Sequence, residues 1–178
     1  MDCDRIAEPK EGGWNMERII DVAEYIIKKY KDMAGLSIDE MKLHKLLYFV
    51  QRETLALTNE PMFAESFEGW KYGPVSPIVR SKFTPDGMHD DHLNDLSLEN
   101  KRIVNNVLAE LADVETWKLS QLSHQEVSWL NSRKGLDQNA AGTRQLSIDD
   151  IREDAKKVRP YDSVWDMYYD EFEDLEEA

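Results

Sequence analysis

Residues 42–57, KLHKLLYFVQRETLAL, set the tightest limit on what this chain can fold into. Leu43, Leu46, Leu47 and Val50 recur at helical spacing and make one apolar stripe. Tyr48 and Phe49 widen that stripe almost all the way round, and a helix so apolar belongs at the centre of a domain. Ser37 and Glu40 form a capping box in front of it, while Asn59 and Pro61 end it. The rest of the chain has to enclose this helix.

The flanking segments supply helices for that purpose. Ile19, Val22, Ala23, Ile26, Tyr30 and Met33 follow a three- and four-residue spacing from Glu17 onward, with Gly35 as the stop. Ser76 with Pro77 reads as an N-cap and first helical residue of a brief helix to about Phe83. Another helix follows Ser97, with Val104, Val107, Leu108 and Leu111 facing inward. Trp117, Leu119 and Leu122 indicate a short helix, and Val127 to Leu130 one more turn. Ser147 and Asp150 cap a last helix to about Val158, stopped by Pro160. Between these, residues 63–75 carry strand formers, Phe67, Trp70, Tyr72 and Val75, broken by Gly69, Gly73 and Pro74. Pro85, Asp86 and Gly87 begin a polar loop to about Asp95. The expected architecture is mainly α: a compact helical domain with one small β-hairpin or short strand pair.

A chain of 178 residues suits one such domain. Residues 1–16, with Pro9 and Gly12-Gly13, read as a flexible leader, residues 17–160 as the domain, and residues 161–178 as an extension. No apolar run reaches the roughly 18 residues of a membrane helix, and no secretory h-region opens the chain. A cytoplasmic setting without membrane contact is expected.

The formal charge of −14 divides unevenly. Residues 161–178 hold eight Asp and Glu and no Lys or Arg, residues 1–16 contribute −2, and residues 17–160 are left with −4. Phosphate contacts rely on Lys and Arg, so direct DNA binding is not expected. The acidic segment also contains Tyr161, Trp165, Tyr168, Tyr169 and Phe172, unlike the aromatic-poor composition of disordered acidic runs. Ser163 and Asp166 offer a helix start, and Trp165, Tyr168, Tyr169 and Phe172 then share one face. The expectation is a short acidic–aromatic helix that needs something to cover its aromatic side.

Candidates for chemistry are few. His89-Asp90-Asp91-His92 has metal-ligand residue types, but consecutive residues converge poorly on one ion, and the segment reads as a solvated loop. The lone Cys3 has no partner for a disulfide or a structural zinc site. His44 reads as a core or boundary histidine. His124 and Glu126, near Trp129, lack the second titratable partner that acid–base catalysis requires. Neither a catalytic constellation nor a metal or cofactor site is expected. Trp70 and Tyr72 are either core aromatics or a rigid aromatic surface held by the Gly73-Pro74 turn.

Three stretches in order, KLHKLLYFVQRETLAL, FEGWKYGPVSPIV (67–79) and ETWKLSQLSHQEVSW (115–129), resemble the Panacea antitoxin domain, a family that includes SocA-like antitoxins and phage-associated GepA-like proteins. The resemblance spans roughly residues 20–157. His44 stands where the family commonly has glutamine, Gly69 where alanine is frequent, and Ser128 where proline is common. The resemblance implies a helical, non-enzymatic domain that neutralises a cognate protein toxin by direct binding. An adaptor role, delivering the toxin to an AAA+ protease, or binding of a host factor by a phage protein, is the alternative. The residues assigned to toxin binding are Trp70, Lys71, Tyr72, His124 and Trp129 of the domain, with Trp165, Tyr168, Tyr169 and Phe172 of the acidic extension. Eight carboxylates suit a toxin with a basic nucleotide- or RNA-binding surface.

Overall fold

The computed structural model describes residues 16–158; the expectations for the leader and for the acidic–aromatic extension lie outside them. Helix α1 (Ile19–Ala34) ends on Gly35, whose φ of +70° is the left-handed conformation glycine adopts without strain. Helix α2 (Glu40–Thr58) is the apolar run, and it is buried on nearly every side. Its cap differs from the expected box. Asp39 accepts from the Lys42 amide at 2.8 Å, because Ser37 sits two residues too early to reach that first turn.

Strands β1 (Glu68–Trp70) and β2 (Gly73–Val75) pair antiparallel around the two-residue turn Lys71–Tyr72, as a single short hairpin was expected to do. Segment 144–146 lies alongside β1, with Gly69 N donating to Arg144 O at 2.9 Å and Leu146 N to Phe67 O at 2.8 Å. Helix α3 (Pro77–Lys82) starts at Ser76, whose hydroxyl accepts from Val79 N.

A second hairpin follows where a loop was expected. Strands β3 (Phe83–Thr84) and β4 (Gly87–Met88) pair across Pro85–Asp86, the Thr84 hydroxyl closing the turn on Gly87 O. Helix α4 (Leu98–Leu111), capped by Ser97, is followed by α5 (Thr116–His124), α6 (Val127–Ser132) and α7 (Ile148–Ala155), the last capped by Ser147. Helix α7 stops at Ala155, one turn short of the expected Val158. Seven helices and two short antiparallel pairs among the described residues make the fold mainly α. No helix there is long and apolar enough to cross a membrane.

The core is continuous. Ile19, Val22, Ala23 and Ile26 of α1, Leu43, Leu46, Leu47 and Val50 of α2, and Val104, Val107 and Leu108 of α4 join one buried cluster. Met33, at the end of the α1 stripe, is exposed instead. Most polar groups buried with α2 are matched; Arg52 Nε is the exception on this helix, with no hydrogen-bond partner among the described residues. Gln51 accepts from Met62 N and donates to Phe63 O, both at 2.8 Å, which fixes the chain leaving α2. Such paired donors and acceptors avoid the penalty for unsatisfied buried polar atoms.

Candidate functional site

The central helix carries two buried lysines as well as its apolar residues. Lys42 donates to Ala112 O at 2.7 Å. Lys45 is wholly buried and donates to Pro74 O at 3.1 Å, beneath the β1–β2 turn. Burial drives its ammonium down to about 8. Gly73, at φ +113°, lies so close that a Cβ there would sit 2.5 Å from Ser123 Oγ and 2.6 Å from Lys45 Cε. The hairpin, α2 and α5 thus meet without room for a methyl group.

On the outer side of this junction the expected residues assemble. His124, the last residue of α5, stacks on Trp129 of α6, with ring centroids 4.0 Å apart and planes 14° off parallel. Trp129 Nε1 donates to Trp70 O at 2.9 Å, linking α6 to the hairpin. Lys71 lies over the Tyr72 ring, and Arg80 over Trp70. Residues 70–72 and 124–129, far apart in the chain, therefore form one aromatic face. Tyr72 is 55% exposed, so of the two readings for it the surface one applies, while Trp70 and Trp129 are half-buried.

A shallow groove of about 360 Å³ opens beside this face, lined by Met41, Tyr72, Trp117, Ser120, Gln121 and His124. Met41 comes from the first turn of α2, Tyr72 from the hairpin turn, and the other four from α5. Trp117 is 55% exposed. The sequence reading missed this wall, although Trp117, Ser120, Gln121 and His124 fall at i, i+3, i+4 and i+7 and so must share a side of a helix. Leu119 alone of the three residues that marked α5 is fully buried; Leu122 is partly exposed.

Electrostatics at the face favour neutral rings. Burial and then the Lys45 charge lower the basicity of His124, opposed by a hydrogen bond to the Lys71 backbone. Nε2 of His124 is shielded from solvent and has no hydrogen-bond partner among the described residues. His44 is buried with Nδ1 accepting from Ser76 N at 3.2 Å, and burial pushes it down to about 3, so it is a core histidine.

Below the face, α6 and α7 are locked to α2. Asp154 accepts from Val127 N at 2.7 Å and Ser128 N at 2.9 Å, and Tyr48 Oη donates to it at 3.1 Å. Ser128 places its hydroxyl 2.9 Å from Tyr48 Oη. Burial raises the Glu126 carboxyl while Arg52, 2.9 Å away, lowers it. A methyl group at Gly69 would overlap Ser132 Oγ, so glycine is the residue that fits here.

The His89–His92 segment is held by ion pairs. Asp90 bonds Lys82 and lies 3.8 Å from Arg18, which also donates to His92 O. Among the described residues no three His, Cys, Asp or Glu side chains are grouped as metal ligands.

The site is thus a shallow groove walled by the exposed rings of Tyr72 and Trp117, on a small helical domain. Residues 43–130, about half of the chain, match the family described as Antitoxin SocA-like, Panacea domain. The chain therefore carries a Panacea domain of the SocA-like antitoxin family over that segment. Antitoxin SocA of Caulobacter vibrioides (strain NA1000 / CB15N) is 38% identical over 52 residues, which is 29% of this chain and 28% of that protein. The match thus spans under a third of the length of that curated relative. No solved structure matches the chain.

Proposed function

We propose that this chain is the antitoxin of a type II toxin–antitoxin pair and neutralises a cognate protein toxin by direct binding. The observation that carries this reading is the groove between Tyr72 and Trp117, on a domain of an antitoxin family. Exposed aromatics held by a rigid frame make effective interface anchors, since little side-chain entropy is lost on binding. Tyr72 is held by a two-residue turn and Trp117 by α5, whose Trp117 Nε1 donates to Glu115 at 2.7 Å. Met41, Tyr72, Trp117 and His124 form the anchor, flanked by Trp70, Lys71 and Trp129. Trp165, Tyr168, Tyr169 and Phe172 add a second contact, and the carboxylates among them face a basic surface on the toxin.

The role is binding rather than catalysis. His124, the histidine of the groove, is stacked and bonded to backbone, and the buried carboxylates of Glu126 and Asp154 cap and brace helices. Co-expression with the neighbouring gene's toxic product tests the proposal: growth is restored by the wild-type chain and lost with Tyr72→Ala/Trp117→Ala. In a purified mixture of the two proteins the toxin's activity falls as complex forms. Activity that falls only once an AAA+ protease is added indicates delivery instead.

A further inference from the structure

Three cations without a carboxylate partner among the described residues meet at the wall formed by Tyr72, His124 and Trp129. Lys45 is wholly buried beneath the β1–β2 turn, its ammonium 3.0 Å from where a Cβ on Gly73 would sit. It donates to the Pro74 carbonyl, and Asp39 is the carboxylate that acts on it, from beyond ion-pair distance. Arg133 lies 5.5 Å from the Trp129 ring centroid. It donates to the carbonyls of Gly69, Asp137, Gln138, Ala140 and Ala141, neutral acceptors that leave its charge uncancelled. Lys71 stands at the rim, its ammonium 5.1 Å from the Tyr72 ring centroid. After burial, the charges of Lys45 and Arg133 lower the basicity of His124, so their field reaches the groove wall.

The carboxylates on the segments that line the groove are engaged locally. Glu40 is paired with Arg80, and Glu115 with Lys118. Asp39 is turned to Lys42 N and to the Thr116 hydroxyl, and Glu68 to the Trp70 indole. Lys71 is left as the cation at the open rim. A carboxylate brought by a ligand meets Lys71 directly and the charges of Lys45 and Arg133 through the wall. Beside it, Met41, Tyr72 and Trp117 offer an apolar surface. Nucleic acid fits poorly, because phosphate binding draws on several Lys and Arg at once and the chain carries −14.

We propose that the groove takes a segment of the cognate toxin in which an apolar or aromatic side chain stands next to Asp or Glu, the apolar group between Tyr72 and Trp117 and the carboxylate against Lys71. This rests on the groove being the toxin site and names the chemistry that the site reads. The toxin then offers two surfaces of opposite sign, an acidic segment to the groove and a basic one to the carboxylates of residues 161–178.

Short peptides test this without toxin. The ¹⁵N-labelled full chain is titrated with Ac-Asp-Trp-Asp-amide and with Ac-Lys-Trp-Lys-amide, and NMR follows the Trp117 indole N–H and the Tyr72 amide. The acidic peptide is expected to shift both signals and to bind about tenfold more tightly than the basic one. Lys71→Glu is expected to reverse that order and Lys71→Arg to keep it. No shift with the acidic peptide, equal or tighter binding of the basic one, or an order unchanged by Lys71→Glu overturns the proposal. Tighter binding of a single-stranded thymidine oligonucleotide than of the acidic peptide overturns it as well. Toxin affinity is read separately on Trp117→Ala, so this charge preference can fail while toxin binding at the groove stands.

Discussion

The imidazole of His124 lies flat on the indole of Trp129, 4.0 Å between centroids. That contact joins the end of α5 to α6, and Trp129 in turn holds the hairpin through Trp70 O. Aromatic pairs of this kind contribute about 0.5–1.5 kcal/mol beyond the area they bury. His124→Ala is expected to weaken toxin binding by more than its stability loss of about 1 kcal/mol. Trp129→Phe, which keeps a ring but removes the indole donor, should loosen the hairpin. Hydrogen exchange at Trp70–Gly73 checks this.

His44 makes stability depend on pH. Its folded-state value is about 3 against an ordinary 6.5. The unfolded chain therefore takes up a proton that the folded chain refuses. The stabilisation is complete above pH 6.5 and is lost as pH falls from there toward 3. At pH 5 the loss from this group is about 2 kcal/mol. His44→Gln, which can still accept from Ser76 N, is expected to remove that share of the acid sensitivity. Urea unfolding of both proteins at pH 7 and pH 5 measures it.

Tyr48 and Asp154 test the bracing of α6 and α7. Tyr48→Phe deprives two buried carboxylates of a neighbour and should cost about 1–3 kcal/mol. Asp154→Ala removes three hydrogen bonds, including both donors at the start of α6, and should cost more, on the order of 3 kcal/mol. Equal losses would mean that the helix-start contacts contribute nothing. Denaturant midpoints of the two variants give the comparison.

Gly73→Ala places a Cβ against Ser123 and Lys45 at φ +113° and is expected to cost more than about 2 kcal/mol. Gly135→Ala also meets a left-handed backbone, at φ +81°, but has open space around it. Its cost should stay near 1 kcal/mol. The difference, read from thermal unfolding, isolates the crowding beneath the hairpin.

The elements were legible because their signals are local. Gly35, Asn59, Ser76-Pro77, Ser97 and Ser147 mark helix ends where the structure puts them. The second hairpin was not, since Phe83–Thr84 and Gly87–Met88 are too short to show alternation, and Pro85-Asp86-Gly87 serves a tight turn as well as a loop. Ser37 was mistaken for the α2 cap because Asp39 fits the same role. Trp70, Lys71, Tyr72, His124 and Trp129 were all named from sequence, yet their meeting depends on α5 and α6 folding over the hairpin. Met41 and the groove-wall position of Trp117, read only as part of a short helix, were missed because a partly exposed groove wall has no apolar periodicity of its own. The link from Tyr48 to Asp154 joins residues 106 apart, beyond any local pattern.

The groove is the central claim, and Trp117→Ala tests it most directly. Trp117 is an exposed side chain on α5, so its removal should change folding stability by no more than about 0.5 kcal/mol. The measurement is the dissociation constant between the purified chain and the proposed cognate toxin, for wild type and variant, with unfolding recorded in parallel. The account predicts a loss of about 2 kcal/mol, roughly 30-fold in affinity, at unchanged stability. Equal affinity of Trp117→Ala and wild type for that toxin would contradict it.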